Sequence, residues 1–274
     1  MRIKINFASR EYVLARKINA VLILILFCLV VVFFYNIKEY RKAIEVLKQV
    51  VQEDPHTQRY RLSLARSYTG AAEYWQAIAE YEALIEINPD NVWYHVEKGH
   101  TYKSLKLYDR AIDEYQNILE IDPAYWQAYY HQGEVYRLLE DYDEAVQHYQ
   151  QALRIVPNDY WTLVKCGMSY AGKQDVARAI EQYQKAIQVA PDQAGAYYYL
   201  GEAYRAQQSF VQAVESYQQA IDINHQYTAA YTALGKAYVA LDNCTSAIVQ
   251  FAAALRLSPK NAEAQEGLEV CMER

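Results

Sequence analysis

Cysteine is scarce in this chain, and the few cysteines lie far apart. The 274 residues contain four of them, Cys28, Cys166, Cys244 and Cys271, and no two show the Cys-x-x-Cys spacing. A disulfide framework and a cysteine-based zinc site are therefore not indicated.

Recognisable motifs of catalysis and nucleotide binding are also missing. The sequence contains no GxxxxGK[ST], GxGxxG, HExxH or GxSxG. It has 6 histidines, and no two of them stand four residues apart as a metal-binding pair on a helix would. We therefore expect no enzymatic activity, no cofactor and no metal site.

Positive charge is scarce beyond the first 50 residues. Residues 1–50 hold nine lysines and arginines against three glutamates, whereas the rest of the chain holds 18 basic and 30 acidic side chains. Because an acidic body repels phosphate backbones, we expect no nucleic-acid partner.

Proline is rare, and its positions follow a period of 34 residues. The 6 prolines are Pro55, Pro89, Pro123, Pro157, Pro191 and Pro259, and His225 fills the gap in the series. Further columns share the period: Tyr68, Tyr102, Tyr136, Tyr170, Tyr204 and Tyr238; Ala65, Gly99, Gly133, Gly167, Gly201 and Gly235; and Tyr81, Tyr115, Tyr149, Tyr183, Tyr217 and Phe251. Because proline ends a helix, each unit is predicted to be two amphipathic helices joined by a short turn.

These columns resemble the tetratricopeptide repeat family. The resemblance implies an all-α, right-handed superhelical solenoid in which each helix pair covers the apolar side of the next. It predicts six repeats over residues 58–261, a leading half-repeat helix over 38–57 and a capping helix over 262–274 that ends the array. Arg61 and His95 stand where the family usually has apolar or aromatic residues.

A long apolar run precedes the repeats. Val21 to Phe34 consists of Leu, Ile, Val and Phe with one cysteine, and the wider segment 18–37 has the length of a membrane-spanning helix. A buried first helix of the array would need a polar face, which this run lacks. A cleaved signal peptide is the alternative, but no small-x-small site follows the run. We therefore predict an uncleaved transmembrane helix over 18–37 that contacts the lipid bilayer.

The charges on either side of this helix give a weak orientation signal. Five lysines and arginines precede it, and four follow it up to Lys48. The positive-inside rule then favours a cytoplasmic leader over 1–17 and repeats outside the cytoplasm. We expect a single-pass protein of a bacterial inner membrane with its repeats in the periplasm.

The leader carries a second, shorter resemblance. "INFASREYVLARK", residues 5–17, is similar to the cytoplasmic leader of fimbrial-assembly inner-membrane proteins of type IV pilus and type II secretion systems. In that family the leader contacts an actin-like cytoplasmic partner, which implies contacts by Ile5, Asn6 and Phe7. An ordinary basic flank of a membrane helix is the alternative interpretation.

The first helices of the repeats are predicted to line a concave groove that binds other proteins. Aromatic side chains alternate there with charged ones, a composition typical of protein-interaction hot spots. The predicted groove residues are Arg59, Arg66, Trp93, His100, Lys103, Tyr130, Glu134, Arg137, Trp161, Met168, Tyr198, Glu202, Arg205 and Lys236. Two alternatives stay open: Trp93 and Trp161 could pack between repeats, and the charged residues could be solvated helix faces.

Together these features predict a membrane-anchored protein-interaction scaffold in bacterial envelope assembly or secretion, with pilus assembly as one setting. One rival is a receptor of the mitochondrial outer-membrane type with cytosolic repeats. The other is a structural subunit that self-assembles into oligomers or filaments. The sequence leaves the oligomeric state open.

Overall fold

The computed structural model describes residues 36–273, and every regular element in that range is an α-helix. Helix α1 is described over 36–53. The others are α2 (Gln58–Gly70), α3 (Tyr74–Ile87), α4 (Val92–Ser104), α5 (Tyr108–Ile121), α6 (Trp126–Leu138), α7 (Tyr142–Ile155), α8 (Tyr160–Gly172), α9 (Val176–Val189), α10 (Ala194–Ala206), α11 (Phe210–Ile223), α12 (Thr228–Ala240), α13 (Cys244–Leu257) and α14 (Ala262–Met272). The predicted all-helical repeat architecture is confirmed over these residues.

The same tight turn joins the two helices of every repeat. Its central residue is left-handed, as at Ala72 with φ 60°, although none of the six residues at this place is glycine. The next N–H, from Glu73, donates to the carbonyl oxygen of Tyr68 at 2.8 Å, which closes the end of α2. Because the first-helix tyrosine column supplies this carbonyl in each repeat, the 34-residue period fixes where each first helix ends.

The glycine column lets the two helices of a repeat come close together. A Cβ atom at Gly167 would lie 2.6 Å from the ring of Tyr183, and one at Gly201 would lie 2.5 Å from the ring of Tyr217. Both rings are almost wholly buried. The close approach therefore explains why glycine and an aromatic residue recur together.

The described residues form two compact units, one ending at Glu114 and the other starting at Tyr115. In the first unit, Ile44 of α1 joins a core that includes Tyr68, Tyr81 and Leu84. In the second, the core continues from Tyr149 of α7 to Phe251 of α13 in three successive clusters. Helix α14 adds Ala264 and Cys271 to the last of these.

Arg61 and His95, which stand where the family usually has apolar or aromatic residues, lie in polar networks of the first unit. Arg61 pairs with Glu80 at 2.5 Å. His95 is buried, and its Nδ1 lies 2.9 Å from Glu114, which also accepts from Lys98 at 3.0 Å. Polar pairs thus take the place of apolar packing at these two positions.

The predicted leader, residues 1–17 with Ile5, Asn6 and Phe7, lies outside the described residues, and so does the membrane segment 18–37 up to residue 35. Among the helices described from residue 36 onward, none combines the length and apolar character needed to cross a bilayer.

Candidate functional site

The second unit brings four of the predicted groove residues together at one cleft. Tyr198, Glu202 and Arg205 on α10 face Lys236 on α12 across a space of about 450 Å³. The start of α14 closes one side of this space with Asn261 and Glu263. The residues that line the space, here called the α10–α14 cleft, are Tyr198, Glu202, Arg205, Thr228, Ala229, Thr232, Ala233, Lys236, Asn261 and Glu263.

Glu202 is the central acceptor of the α10–α14 cleft. Its Oε1 accepts from the Tyr217 hydroxyl at 2.6 Å, and its Oε2 accepts from Nη2 of Arg205 at 2.6 Å. Tyr217 is fully buried, and this burial, together with the hydrogen bond to Glu202, raises the pKa of its hydroxyl. The phenol therefore stays protonated and holds the carboxylate from the core side.

Tyr198 offers an aromatic surface beside this carboxylate. Burial and the charge of Glu202 raise the pKa of Tyr198 to about 12, so its hydroxyl is neutral at physiological pH. Its ring lies 6.0 Å from that of Tyr217 and 5.1 Å from that of Tyr227. These contacts fix the orientation of Tyr198.

On its other side the cleft is held together by polar contacts to α14. Lys236 donates to Glu263 at 2.8 Å, and the amide nitrogen of Asn261 donates to the hydroxyl oxygen of Thr232 at 2.8 Å. Asn261 also caps α14, because its side-chain oxygen accepts from the N–H of Ala264. Sequence reasoning missed Asn261 and Glu263 as site residues; the signal that could have found them is the asparagine cap at the start of the last helix.

The carboxylate arrangement occurs a second time, two repeats earlier. Glu134 on α6 accepts from the Tyr149 hydroxyl at 2.9 Å and lies 3.5 Å from Nε of Arg137. Lys165 of α8 approaches the same carboxylate at 3.4 Å. Tyr130, another predicted groove residue, lies 5.9 Å from Tyr149 between ring centroids.

The other predicted groove residues do not line the α10–α14 cleft. In the first unit, Arg66 lies over the Trp93 ring at 5.9 Å and pairs with Glu97 at 3.2 Å, while Arg59 is exposed. His100 and Lys103 of α4 are half-buried, and burial and Lys103 lower the pKa of His100 to about 4. Met168 of α8 is half-buried and packs against the core.

Trp93 and Trp161, the two tryptophans among the predicted groove residues, are 44% and 59% exposed. An exposed indole on a first helix provides a large, rigid contact area for a partner protein.

As for metals, residues 36–273 contain no group of three or more His, Cys, Asp or Glu side chains placed to hold an ion.

The α10–α14 cleft offers a polypeptide three kinds of contact. Arg205 and Lys236 can meet carboxylates, Thr228 and Asn261 can hydrogen-bond to backbone amides, and Tyr198 can pack against an apolar side chain. Both cations are at least partly exposed and already paired, so a ligand would exchange one partner for another at little cost.

Solved structures with this arrangement of helices include several repeat proteins. The C-terminal part of a TPR repeat-containing protein from Cytophaga hutchinsonii is 19% identical with a TM-score of 0.70, over 86% of this chain and 96% of that one. PilW, described as a widely conserved type IV pilus biogenesis factor, is 20% identical with a TM-score of 0.65, over 77% and 98%. YrrB, described as a TPR protein with an unusual peptide-binding site, is 20% identical with a TM-score of 0.58, over 69% and 97%.

These likenesses establish the fold alone. The chain spans nearly all of those three structures, but only 46% of the matched chain in the Cut9–Hcn1 hetero-tetramer of the APC/C. No curated protein matches the sequence.

The family models agree with the repeat period. Models described as tetratricopeptide repeat match residues 38–97, 94–125, 126–159 and 232–268, and a TPR repeat model matches 167–208 and 201–242. Together these matches cover most of the chain, which belongs to the tetratricopeptide repeat family.

Proposed function

We propose that this protein is a membrane-anchored scaffold that holds a partner protein by a segment seated in the α10–α14 cleft. The observation that carries the proposal is the meeting of Tyr198, Glu202, Arg205 and Lys236 around one open space of about 450 Å³. The family is typical of protein-interaction scaffolds, and the peptide-binding site named for YrrB supports a peptide ligand. The segment would lie along α10 and α12 with a carboxylate near Arg205 or Lys236.

The proposed setting is the envelope of a bacterium, with residues 18–37 in the inner membrane and the repeats in the periplasm. The apolar run and the basic leader support this setting, as does the likeness in fold to PilW. A role in envelope assembly or secretion follows, and pilus assembly is one instance of it. Partner contacts by Ile5, Asn6 and Phe7 belong to the same proposal.

Site-directed photo-crosslinking in cells tests the cleft. A photoreactive residue at Ala229, which lines the cleft, is expected to give one defined adduct with a partner. The matched position is Val211 on α11, which is exposed and lies outside the cleft. A Lys236→Glu change should abolish the Ala229 adduct. Equal adducts from both positions, or an adduct that Lys236→Glu leaves intact, would contradict the proposal.

A reporter fused after Arg274 that is active only outside the cytoplasm tests the setting. Activity of the reporter supports periplasmic repeats. An inactive reporter, with the repeats digested only after the cytoplasm is opened to protease, would rule out this orientation and favour cytosolic partners.

A further inference from the structure

A second cleft of the same unit differs in chemistry from the α10–α14 cleft and shares no residue with it. It lies between α7 and α9, the second helices of two successive repeats, with Tyr170 of α8 at its base. The space is about 480 Å³. Its charged lining consists of Arg154, Arg178 and Lys185 with a single carboxylate, Glu181. We call it the α7–α9 cleft.

The cations of the α7–α9 cleft are exposed and held in place. The guanidinium of Arg178 lies over the Tyr170 ring at 4.8 Å, and the Tyr170 hydroxyl accepts from Gln150 at 2.6 Å. Arg178 also pairs with Asp175. Lys185 donates to Glu181 at 2.6 Å.

Arg154 is the cation most available to a ligand. It donates to the neutral amide of Gln151 at 3.1 Å, and within residues 36–273 it makes no ion pair. Its charge therefore remains uncompensated at the edge of the cleft.

The next repeat shows that the fold does not need these cations. Gln184 donates to the Tyr204 hydroxyl at 3.4 Å, which repeats the Gln150–Tyr170 contact 34 residues later. At the places of the three cations, however, that repeat has Gln188, Gln212 and Gln219. Three positive charges at one repeat junction therefore need a reason other than packing.

The surrounding charge strengthens this argument. From residue 51 onward the chain carries 18 basic against 30 acidic side chains, so a basic cleft is exceptional in this body. At the position of Arg154, three other repeats have acidic residues, namely Glu86, Glu120 and Asp222, while one has Gln188 and one has Arg256.

We propose that the α7–α9 cleft binds an acidic segment of a partner protein. Carboxylates of the segment would pair with Arg154 and Lys185, and its backbone amides would meet the side chains of Gln150 and Gln182. An extended chain can place its carboxylates on either side of Glu181, whereas a compact dianion such as phosphate would be repelled by that residue. The scaffold then holds two partners on separate surfaces.

The test is fluorescence anisotropy on the full chain in a nonionic detergent. The probe is a labelled peptide of alternating glutamate and glycine, and the same peptide with glutamine in place of glutamate is the neutral reference. The triple variant Arg154→Gln, Arg178→Gln and Lys185→Gln gives the cleft the composition of its neighbour. We expect roughly tenfold weaker binding of the acidic peptide and a thermal midpoint lowered by no more than about 4 °C, because the three exposed side chains lose only surface ion pairs and one cation–π contact.

Two further triple variants distinguish binding in the cleft from general electrostatic attraction. The first combines Lys38→Gln, Arg256→Gln and Lys260→Gln; it removes the same charge from exposed positions elsewhere and should leave binding within about twofold. Gln188→Arg, Gln212→Arg and Gln219→Lys should create a second site and double the stoichiometry.

Three outcomes would overturn the proposal. They are equal weakening in both loss-of-charge variants, undiminished binding after the cleft substitutions, and equal binding of the glutamine peptide. A light-scattering mass of two or more chains that the cleft substitutions reduce to one would also overturn it, because the occupant would then be a second copy of this chain.

Discussion

At the scale of single residues, the chain carries its own evidence for the role of the buried hydroxyls. In two repeats, the residue that follows the glycine of the first helix is a glutamate, Glu134 or Glu202. The aromatic residue that packs on that glycine is then a tyrosine, and its hydroxyl donates to the glutamate. Where that residue is Lys236, the facing aromatic is Phe251, which has no hydroxyl to donate. In these two repeats, Tyr149 and Tyr217 therefore combine packing with the positioning of a carboxylate.

Replacing Tyr217 with phenylalanine isolates the positioning role. We expect Tyr217→Phe to lower the free energy of unfolding by about 1–2 kcal/mol, because Glu202 loses the hydrogen bond that it accepts from the core. Tyr183→Phe is the matched control, since Met168 stands in that repeat at the place of Glu202 and, within residues 36–273, the Tyr183 hydroxyl has no carboxylate acceptor; its effect should stay below about 0.5 kcal/mol. Urea denaturation of both variants measures the difference. Equal effects would mean that Glu202 does not depend on the hydroxyl.

The left-handed turn residues are another feature of single positions. Ala72 has φ 60°, a left-handed backbone conformation that is unfavourable for a residue with a Cβ atom. Its side chain is exposed, so no packing compensates for this cost. Ala72→Gly should therefore stabilise the protein by about 0.5–1 kcal/mol. Ala79→Gly, at an exposed interior position of α3, should destabilise it by about 1 kcal/mol. Thermal denaturation checks the two opposite signs, and destabilisation by both changes would contradict this account of the turn.

At the scale of helices, the 34-residue period was enough to predict the all-helical repeat architecture. Proline and tyrosine columns act locally, through helix ends and turns, so a single sequence reveals them. The assignment of groove residues to the first helices rests on the same period and stays a prediction; Trp93 and Trp161 among them are exposed. The role of α14 could not be predicted, because Asn261 and Glu263 reach the α10–α14 cleft only through tertiary packing against Thr232 and Lys236.

A buried ionic network joins three helices of the first unit and makes its stability depend on pH. Burial alone would raise the pKa of Glu114, but hydrogen bonds from His95 on α4 and Lys98 outweigh it and lower the pKa. Lys98 also reaches Glu82 of α3 at 3.2 Å. A carboxylate whose pKa is lower in the folded state contributes stability above its unfolded pKa of about 4.3, and this contribution is lost as pH falls through the folded value.

Replacing Glu114 with glutamine should remove that contribution. We expect Glu114→Gln to lower the free energy of unfolding by about 2–3 kcal/mol at pH 7, because Lys98 and His95 lose the carboxylate that both contact in a largely buried site. The difference from wild type should shrink as pH falls below about 4, where the wild-type carboxylate is protonated too. Thermal melts at several pH values measure this trend. A constant difference between pH 7 and pH 3 would show that the loss arises from packing instead.

At the scale of the whole molecule, the charge distribution could be read from the sequence, but the places where charges meet could not. The sequence showed an acidic body behind a basic leader. It did not show that Arg154, Arg178 and Lys185 share one cleft, because these residues come from two helices and only two of them are near in sequence. The same limit holds for Arg205 and Lys236, which α10 and α12 bring to one space.

The predicted membrane anchor is the whole-molecule property that would decide on which side of a membrane both clefts lie. The 13 Leu, Ile, Val and Phe residues from Val21 to Phe34 favour insertion by roughly 4–8 kcal/mol on biological insertion scales. An arginine near the middle of a span costs about 2.5–3.5 kcal/mol, so Ile25→Arg with Val30→Arg should offset most of this gain.

We therefore expect the wild-type chain to stay in the membrane pellet after extraction at high pH, and the double arginine variant to be released. The matched control is Arg41→Ala with Lys42→Ala, which alters charge just beyond the predicted span and should leave the chain in the pellet. Mass spectrometry of the purified N-terminus completes the test, because an anchor requires that residues 18–37 remain in the mature protein. Release of the wild-type chain would contradict the predicted anchor. A mature N-terminus after residue 34 would indicate a cleaved signal peptide instead, and the clefts would then not be tethered to the membrane.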